Sequence, residues 1–240
     1  MKRIMIVLVF VCGCYSAMAA TDTCMAYNKL NNKIRDGAIS KADALKEMNA
    51  LMPLLATYYT NRGGQSAIKH LSLWHFPVKG YDSKAIGGKN GNGYLTSGYD
   101  FFTGNKHGGH PAHDIFIRDT NQDGLDDKTG KEVQVLSVFD GLVVATETAW
   151  KTGSAQRGGN YIWIYDLAQN LLVYYAHNNK VLVRPGDMVK AGMPIATVGR
   201  TGTNAAKKRS PTHLHFMTLR LYNGYPEPEN YYEMLKVAAH

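Results

Sequence analysis

Cysteine is scarce in this chain: three residues in 240, at positions 12, 14 and 24. None stands near a histidine in the sequence, which excludes the thiolate-rich zinc motifs and leaves imidazole and carboxylate as the available metal donors. Long apolar runs are also missing. The longest, Ile4 to Val11, is too short to cross a bilayer as a helix, so no transmembrane span is expected. Basic charge exceeds acidic charge, 27 Lys and Arg against 19 Asp and Glu, for a formal net charge of +8. That excess suits an anionic partner. The positive residues are nevertheless scattered, and Lys207-Lys208-Arg209 is their one cluster. Without interleaved basic and aromatic residues, no nucleic-acid partner is expected.

The first 19 residues resemble a secretory signal. Lys2 and Arg3 precede the apolar run, and Ala17-Met18-Ala19 offers a small-x-small cut after Ala19. Only Cys24 survives that cut, so no internal disulfide can form. A competing reading is lipoprotein processing at Cys14, after Val11-Cys12-Gly13. Either way the destination is the periplasm or cell envelope. Residues 20–64 read as a small helical N-terminal region. Ser40-Lys41-Ala42-Asp43 resembles a capping box, and Met48, Leu51, Met52 and Leu55 form one helical stripe. Pro53 is expected to kink or interrupt that helix. The region either packs on the remainder of the chain or serves as a solvated spacer.

Residues 65–240 change character, to short strands and glycine turns. The Gly80–Gly109 stretch is a long loop region without helical period, and His70, His75 and His107 in or before it read as structural or exposed. Val133 and Val135, followed by Leu142-Val143-Val144 around Asp140-Gly141, read as a hairpin. Tyr161 to Tyr165 reads as a strand buried on both faces. Leu171 to His177 is another, ending on a histidine. Arg184 to Gly192 and Ile195 to Gly199 give short strands broken by glycine, a pattern shared with biotinyl and lipoyl carrier domains, although no lysine sits in a suitable hairpin. Thr218 to Leu221 is expected to be the last strand, and the tail from Tyr231-Tyr232 to close as a helix.

Four places carry candidate chemistry. In Pro211-Thr212-His213-Leu214-His215-Phe216, strand alternation puts His213 and His215 on one face and Leu214 and Phe216 on the other. His110 and Asp114 share a face of an extended chain, a plausible half of a zinc site. His177 stands at a strand end. Asp119, Asn121, Asp123 and Asp127 alternate around Gly124 like the start of a calcium loop, although Gly130 stands where an EF-hand loop would end in Glu. A polar hairpin turn is the competing reading of that loop.

The ordered set of His110-xxx-Asp114, Tyr175-Ala176-His177, a Gly-Asp-x-Val-x-x-Gly turn, Val198-Gly199-x-Thr201-Gly202 and His213-Leu214-His215-Phe216 resembles the lysostaphin-type (LytM-domain) zinc metallopeptidases, over roughly residues 105–220. The resemblance implies a mainly β fold: an antiparallel β-sheet, barrel-sandwich-like metallopeptidase domain whose His- and Asp-bearing strands floor an open groove. By position it implies zinc held by His110, Asp114 and His215, with His177 and His213 as catalytic histidines. Two features depart from the family pattern: Met217 follows the HLHF where an acidic residue is common, and the Ala205–Ser210 loop is longer than usual.

Three protein ligands leave a fourth zinc position open, as in catalytic sites, and zinc lowers the pKa of bound water to about 7. The implied reaction is hydrolysis of peptide bonds in peptidoglycan, in stem peptide or cross-bridge, with one of His177 and His213 transferring protons and the other stabilising the oxyanion. Peptidoglycan peptides are the implied partner. The alternative class is a catalytically inactive LytM-like module that binds cell wall or regulates an amidase. The sequence assigns no oligomeric state.

Overall fold

The computed structural model describes residues 12–64 and 74–240. Lys2, Arg3, the Ile4–Val11 run and His70 lie outside the described residues.

Two long helices open the fold. Helix α1 (Cys12–Arg35) buries Tyr27, Leu30 and Ile34 on one side. It stops in a Schellman turn: Gly37 adopts φ +67°, its N–H reaches the Ile34 carbonyl at 3.1 Å, and Ala38 N–H reaches Lys33 O at 2.8 Å. Helix α2 (Lys41–Asn61) starts where Ser40 Oγ accepts the Asp43 N–H at 3.1 Å, as the capping-box reading requires. Its stripe of Met48, Met52 and Leu55 is buried. Pro53 lies inside this continuous helix and does not interrupt it, which corrects the sequence expectation. One missing N–H is tolerable because the flanking side chains Met52 and Leu55 are fixed by tertiary packing.

Strands β1 (Ala112–Phe116), β2 (Gln134–Leu136), β3 (Gly141–Glu147), β4 (Asn160–Asp166), β5 (Leu171–Asn178), β6 (Met188–Val189), β7 (Pro194–Thr197), β8 (His213–Tyr222) and β9 (Tyr225–Pro228) follow, then helix α3 (Tyr232–Lys236). The main antiparallel sheet runs β1-β8-β5-β4-β3-β6, and β9 continues the β1 edge by pairing the far half of β8. Two expectations change here. Strand β2 pairs β7 in a small second sheet rather than forming a hairpin with β3. Thr218–Leu221 is the second half of the ten-residue β8, and β9 is the last strand.

The faces of the main sheet bury different partners. One face carries Ile115, Ile162, Ile164, Val173, Tyr175, Leu214 and Phe216 against Trp74, Phe139 and the small sheet. The other carries Leu142, Val144, Trp163, Tyr165, Leu172 and Leu219 against α1 and α2. The N-terminal helices are therefore packed on the sheet, and the spacer reading falls. Strand β4 is buried throughout, as expected of a central strand covered on both sides.

Candidate metal and catalytic site

Strand β8 divides its residues by alternation. Leu214 and Phe216 enter the core, while His213 and His215 lie on the helix-bearing face, beyond the end of the helices' cover. The pairing register then sets Asp114 of β1 directly opposite His215, although 101 residues separate them. Across the other edge of β8, His215 pairs with Ala176, one residue before His177. His177 has φ +67° in a residue other than glycine, a costly conformation that redirects its ring. Its ring centroid stands 5.0 Å from that of His213 and 5.5 Å from that of His215.

The five histidine and aspartate positions that the resemblance implied thus meet. Asp114 Oδ1 lies 3.2 Å from His110 Nε2, 3.0 Å from His215 Nδ1 and 3.7 Å from His213 Nε2. His110, Asp114 and His215 are the one group of three metal-capable side chains found among the described residues. Their chemistry and spacing fit zinc. A tetrahedral ion with arms of about 2.0–2.1 Å spaces its ligand atoms about 3.3 Å apart, close to the two Asp114 distances. The remaining ring nitrogens are oriented from behind. His110 Nδ1 faces Gly93 O at 3.1 Å, His177 Nδ1 faces Thr201 O at 2.8 Å, and His213 Nδ1 faces Pro211 O at 2.7 Å. A carbonyl can only accept, so each Nδ1 carries the proton; this leaves Nε2 of His177 and His213 free, whereas His110 Nε2 faces Asp114.

The electrostatics follow from burial and these contacts. Burial opposes the Asp114 anion, but hydrogen bonds from His110 and His215 outweigh it and hold the carboxyl far below its usual range. Burial drives His177 well below the ordinary imidazole value, helped by the neighbouring His213 and His215. His215 is lowered by burial, with Asp114 opposing. For His110 the Asp114 hydrogen bond prevails over burial and raises the value.

The candidate calcium loop looks different. Asp119 accepts the N–H groups of Asp123 and Gly124 and the Thr212 hydroxyl. Asp127 accepts Thr120 N–H and Oγ1–H, and Asp123 accepts from Asn121 and Leu125 N–H. These oxygens close a turn on itself, and no metal-capable group of three forms there among the described residues. Calcium is unsupported.

A cleft of about 270 Å3 opens beside the histidines. Its walls include residues not singled out in the sequence: Tyr99 and Phe101, Trp163 and Tyr174, Arg157, and Asn31, Ile34 and Arg35 of α1. His107, expected to be merely structural or exposed, lies on its rim. Tyr174 could be found by alternation from Ala176. Arg157 stands in a loop with no periodic signal.

The sequence model of Peptidase family M23 matches residues 120–226. This segment holds His177, His213 and His215, and the fold brings His110 and Asp114, which precede it, to the same point. Over that segment the chain is similar to Peptidase family M23. Among curated relatives, the murein hydrolase activator NlpD of Salmonella typhimurium is 30% identical over 164 residues, covering 68% of this chain and 33% of that protein. NlpD of Escherichia coli is 39% identical over 93 residues, 39% of this chain and 21% of that protein. The chain therefore spans a third or less of these relatives' length. Among solved structures, a LytM-named protein from Ruminococcus gnavus matches with 24% identity and a TM-score of 0.47, over 78% of this chain and 72% of the other. The lysostaphin catalytic domain from Staphylococcus simulans matches with 26% identity and a TM-score of 0.36, over 51% and 77%.

Proposed function

We propose that this chain is a zinc-dependent endopeptidase of the cell envelope that hydrolyses peptide bonds in peptidoglycan. The observation that carries the reading is the convergence of five polar side chains, His110, Asp114, His177, His213 and His215, at the end of one cleft. A three-ligand set of two imidazoles and one carboxylate leaves an open position, as catalytic zinc sites do. When bound, zinc supplies Lewis acidity at the reacting carbonyl.

The chain's own residues supply the rest. His177 and His213 each present a free Nε2 towards the cleft, with the opposite nitrogen tied to a carbonyl. Burial keeps the His177 ring neutral, so its Nε2 can take a proton from water attacking the peptide carbonyl. His213, once it carries a second proton, donates from Nε2 to the developing oxyanion. The two roles are interchangeable by geometry alone. The apolar walls built by Phe101, Trp163 and Tyr174 exclude water from the bound peptide.

A second reading has its own support. The relatives named murein hydrolase activators match over up to 164 residues, which favours a module that regulates an amidase. Muropeptide digestion followed by mass spectrometry, with and without chelator, decides between the two. New peptide termini that vanish with chelator are expected. Intact peptides in both arms, with faster cleavage when a purified amidase is added, would overturn the peptidase reading. In this reading residues 1–19 are a leader, 20–64 a helical region and 65–240 the peptidase domain. The Pseudomonas aeruginosa relative, 36% identical over 75 residues, is named a lipoprotein, which favours lipid on Cys14 over a cut after Ala19. Labelling with a palmitate analogue separates those two routes to the envelope.

A further inference from the structure

The cleft is short of negative charge. Asp114 is the one acidic residue among those lining it, and two histidines already hold its carboxylate. Its cationic residues are Arg35 and Arg157. Arg35 is neutralised, by Glu147 at 2.6 Å and Asp36 at 2.8 Å. Arg157 is half-buried and has no carboxylate partner among the described residues. Its Nη1 donates to the carbonyls of His107 at 2.7 Å and Asn105 at 3.5 Å, and its backbone N–H to Asn105 Oδ1 at 3.2 Å. Nε and Nη2 meet no acceptor among the described residues, so three of the five guanidinium hydrogens are unclaimed there.

The position is built. The preceding residue, Gln156, is tied to the loop before β8, its carbonyl accepting Thr203 N–H and Oγ1–H at 3.1 Å each. The guanidinium is clamped to the Asn105–His107 wall on the other side. Its charge reaches His110 and Tyr174, which places it within electrostatic range of the candidate zinc ligands. Beyond it, Asn204, Ala205 and Ser210 line the cleft, and between them the exposed Lys207, Lys208 and Arg209 take no acidic partner among the described residues. A half-desolvated guanidinium with a free donor edge is the group best suited to a bidentate carboxylate.

Resting on the peptidase reading for its substrate, we propose that Arg157 is a specificity-determining residue that binds a free carboxylate of the substrate peptide beside the scissile bond. The site then takes anionic peptides and discriminates against the same peptides amidated. The Lys207–Arg209 loop adds long-range attraction at the cleft mouth, while the bidentate contact belongs to Arg157.

The test uses a stem tetrapeptide with its carboxylates free and the same peptide with them converted to carboxamides. Each is offered to the zinc-loaded full chain, to Arg157→Gln and to Arg157→Lys. The quantity read is the ratio of acid to amide, in kcat/KM and, separately, in binding affinity by fluorescence anisotropy. In the unsubstituted protein the ratio is expected to favour the acid by roughly tenfold or more, the usual worth of a charge-assisted hydrogen bond. It should approach one in Arg157→Gln and fall between in Arg157→Lys, with zinc content constant. A ratio that Arg157→Gln leaves unchanged would overturn the assignment, as would an unsubstituted protein that treats the two peptides alike. Absent turnover with a retained binding ratio would sink the peptidase reading alone, since the affinity arm still decides the role of Arg157.

Discussion

At the scale of the residue, the proposed function assigns some side chains to a metal and others to the reacting carbonyl. His215 and His110 share Asp114 Oδ1, whereas His177 and His213 stand over it with backbone carbonyls behind them. His215→Ala or Asp114→Ala should therefore lose zinc, measured by elemental analysis of dialysed protein, and turnover with it. His177→Ala should keep its zinc and lose turnover by about 10²–10⁴-fold, the range for a general acid or base. Equal zinc loss in both classes would erase the division of labour. The histidine pair on β8 is legible in the sequence because period-two alternation leaves no other way to bury Leu214 and Phe216. Arg157 is not legible, because a loop residue's environment comes entirely from segments distant in the chain.

A second residue-scale consequence concerns acid. Asp126 is buried and accepts hydrogen bonds from Tyr81, Arg118, Lys128 N–H and Thr129 N–H. Burial alone would raise its pKa, but these donors lower it to about 2. A depressed carboxylate contributes stability above its unfolded value near 4, and that contribution disappears as pH falls towards 2. Asp126→Asn is expected to cost about 1–3 kcal/mol at pH 7, the range for stranding the partners of a charged group. The gap between variant and parent in urea unfolding should narrow below pH 4. A gap independent of pH would mean that shape, not charge, holds the loop.

At the scale of the element, α2 shows how local and tertiary rules combine. The Ser40 cap and the Met48-Met52-Leu55 stripe can be read directly from residue spacing. Continuity through Pro53 cannot, because the sheet face that holds the helix lies about a hundred residues away. Leu55 is wholly buried at that contact, so Leu55→Ala should destabilise the protein by about 2–5 kcal/mol by denaturant titration. The pairing of β2 with β7 fails to show in sequence for a similar reason: two short apolar segments near a glycine turn look like a hairpin whichever strand each finally meets.

At the scale of the whole molecule, the helical region and the sheet share one core, and α1 contributes Asn31, Ile34 and Arg35 to the cleft. A chain beginning at Ser66 would expose Leu142, Val144, Trp163 and Tyr165 to water. It should bind a hydrophobic dye and unfold at lower denaturant concentration than the full chain. If it melts at the same point and cleaves peptide faster, the helices act as a removable cover rather than a wall.

The start of β8 is fastened independently of the loop that precedes it. Thr212 O accepts Ile117 N–H at 3.1 Å, and Thr212 Oγ1 donates to Asp119 at 2.6 Å. On the other side of the loop, Thr201 is fixed to Asn160 N–H and Asn178 O, both at 2.9 Å. The segment between these two anchors can therefore change length and charge without shifting the register that aligns His213 and His215 with β1 and β5. That arrangement makes residues 204–210 an exchangeable cassette: replacing them with a shorter or acidic loop, with Thr203 kept as the anchor of Gln156, should change what enters the cleft while the histidine cluster stays assembled.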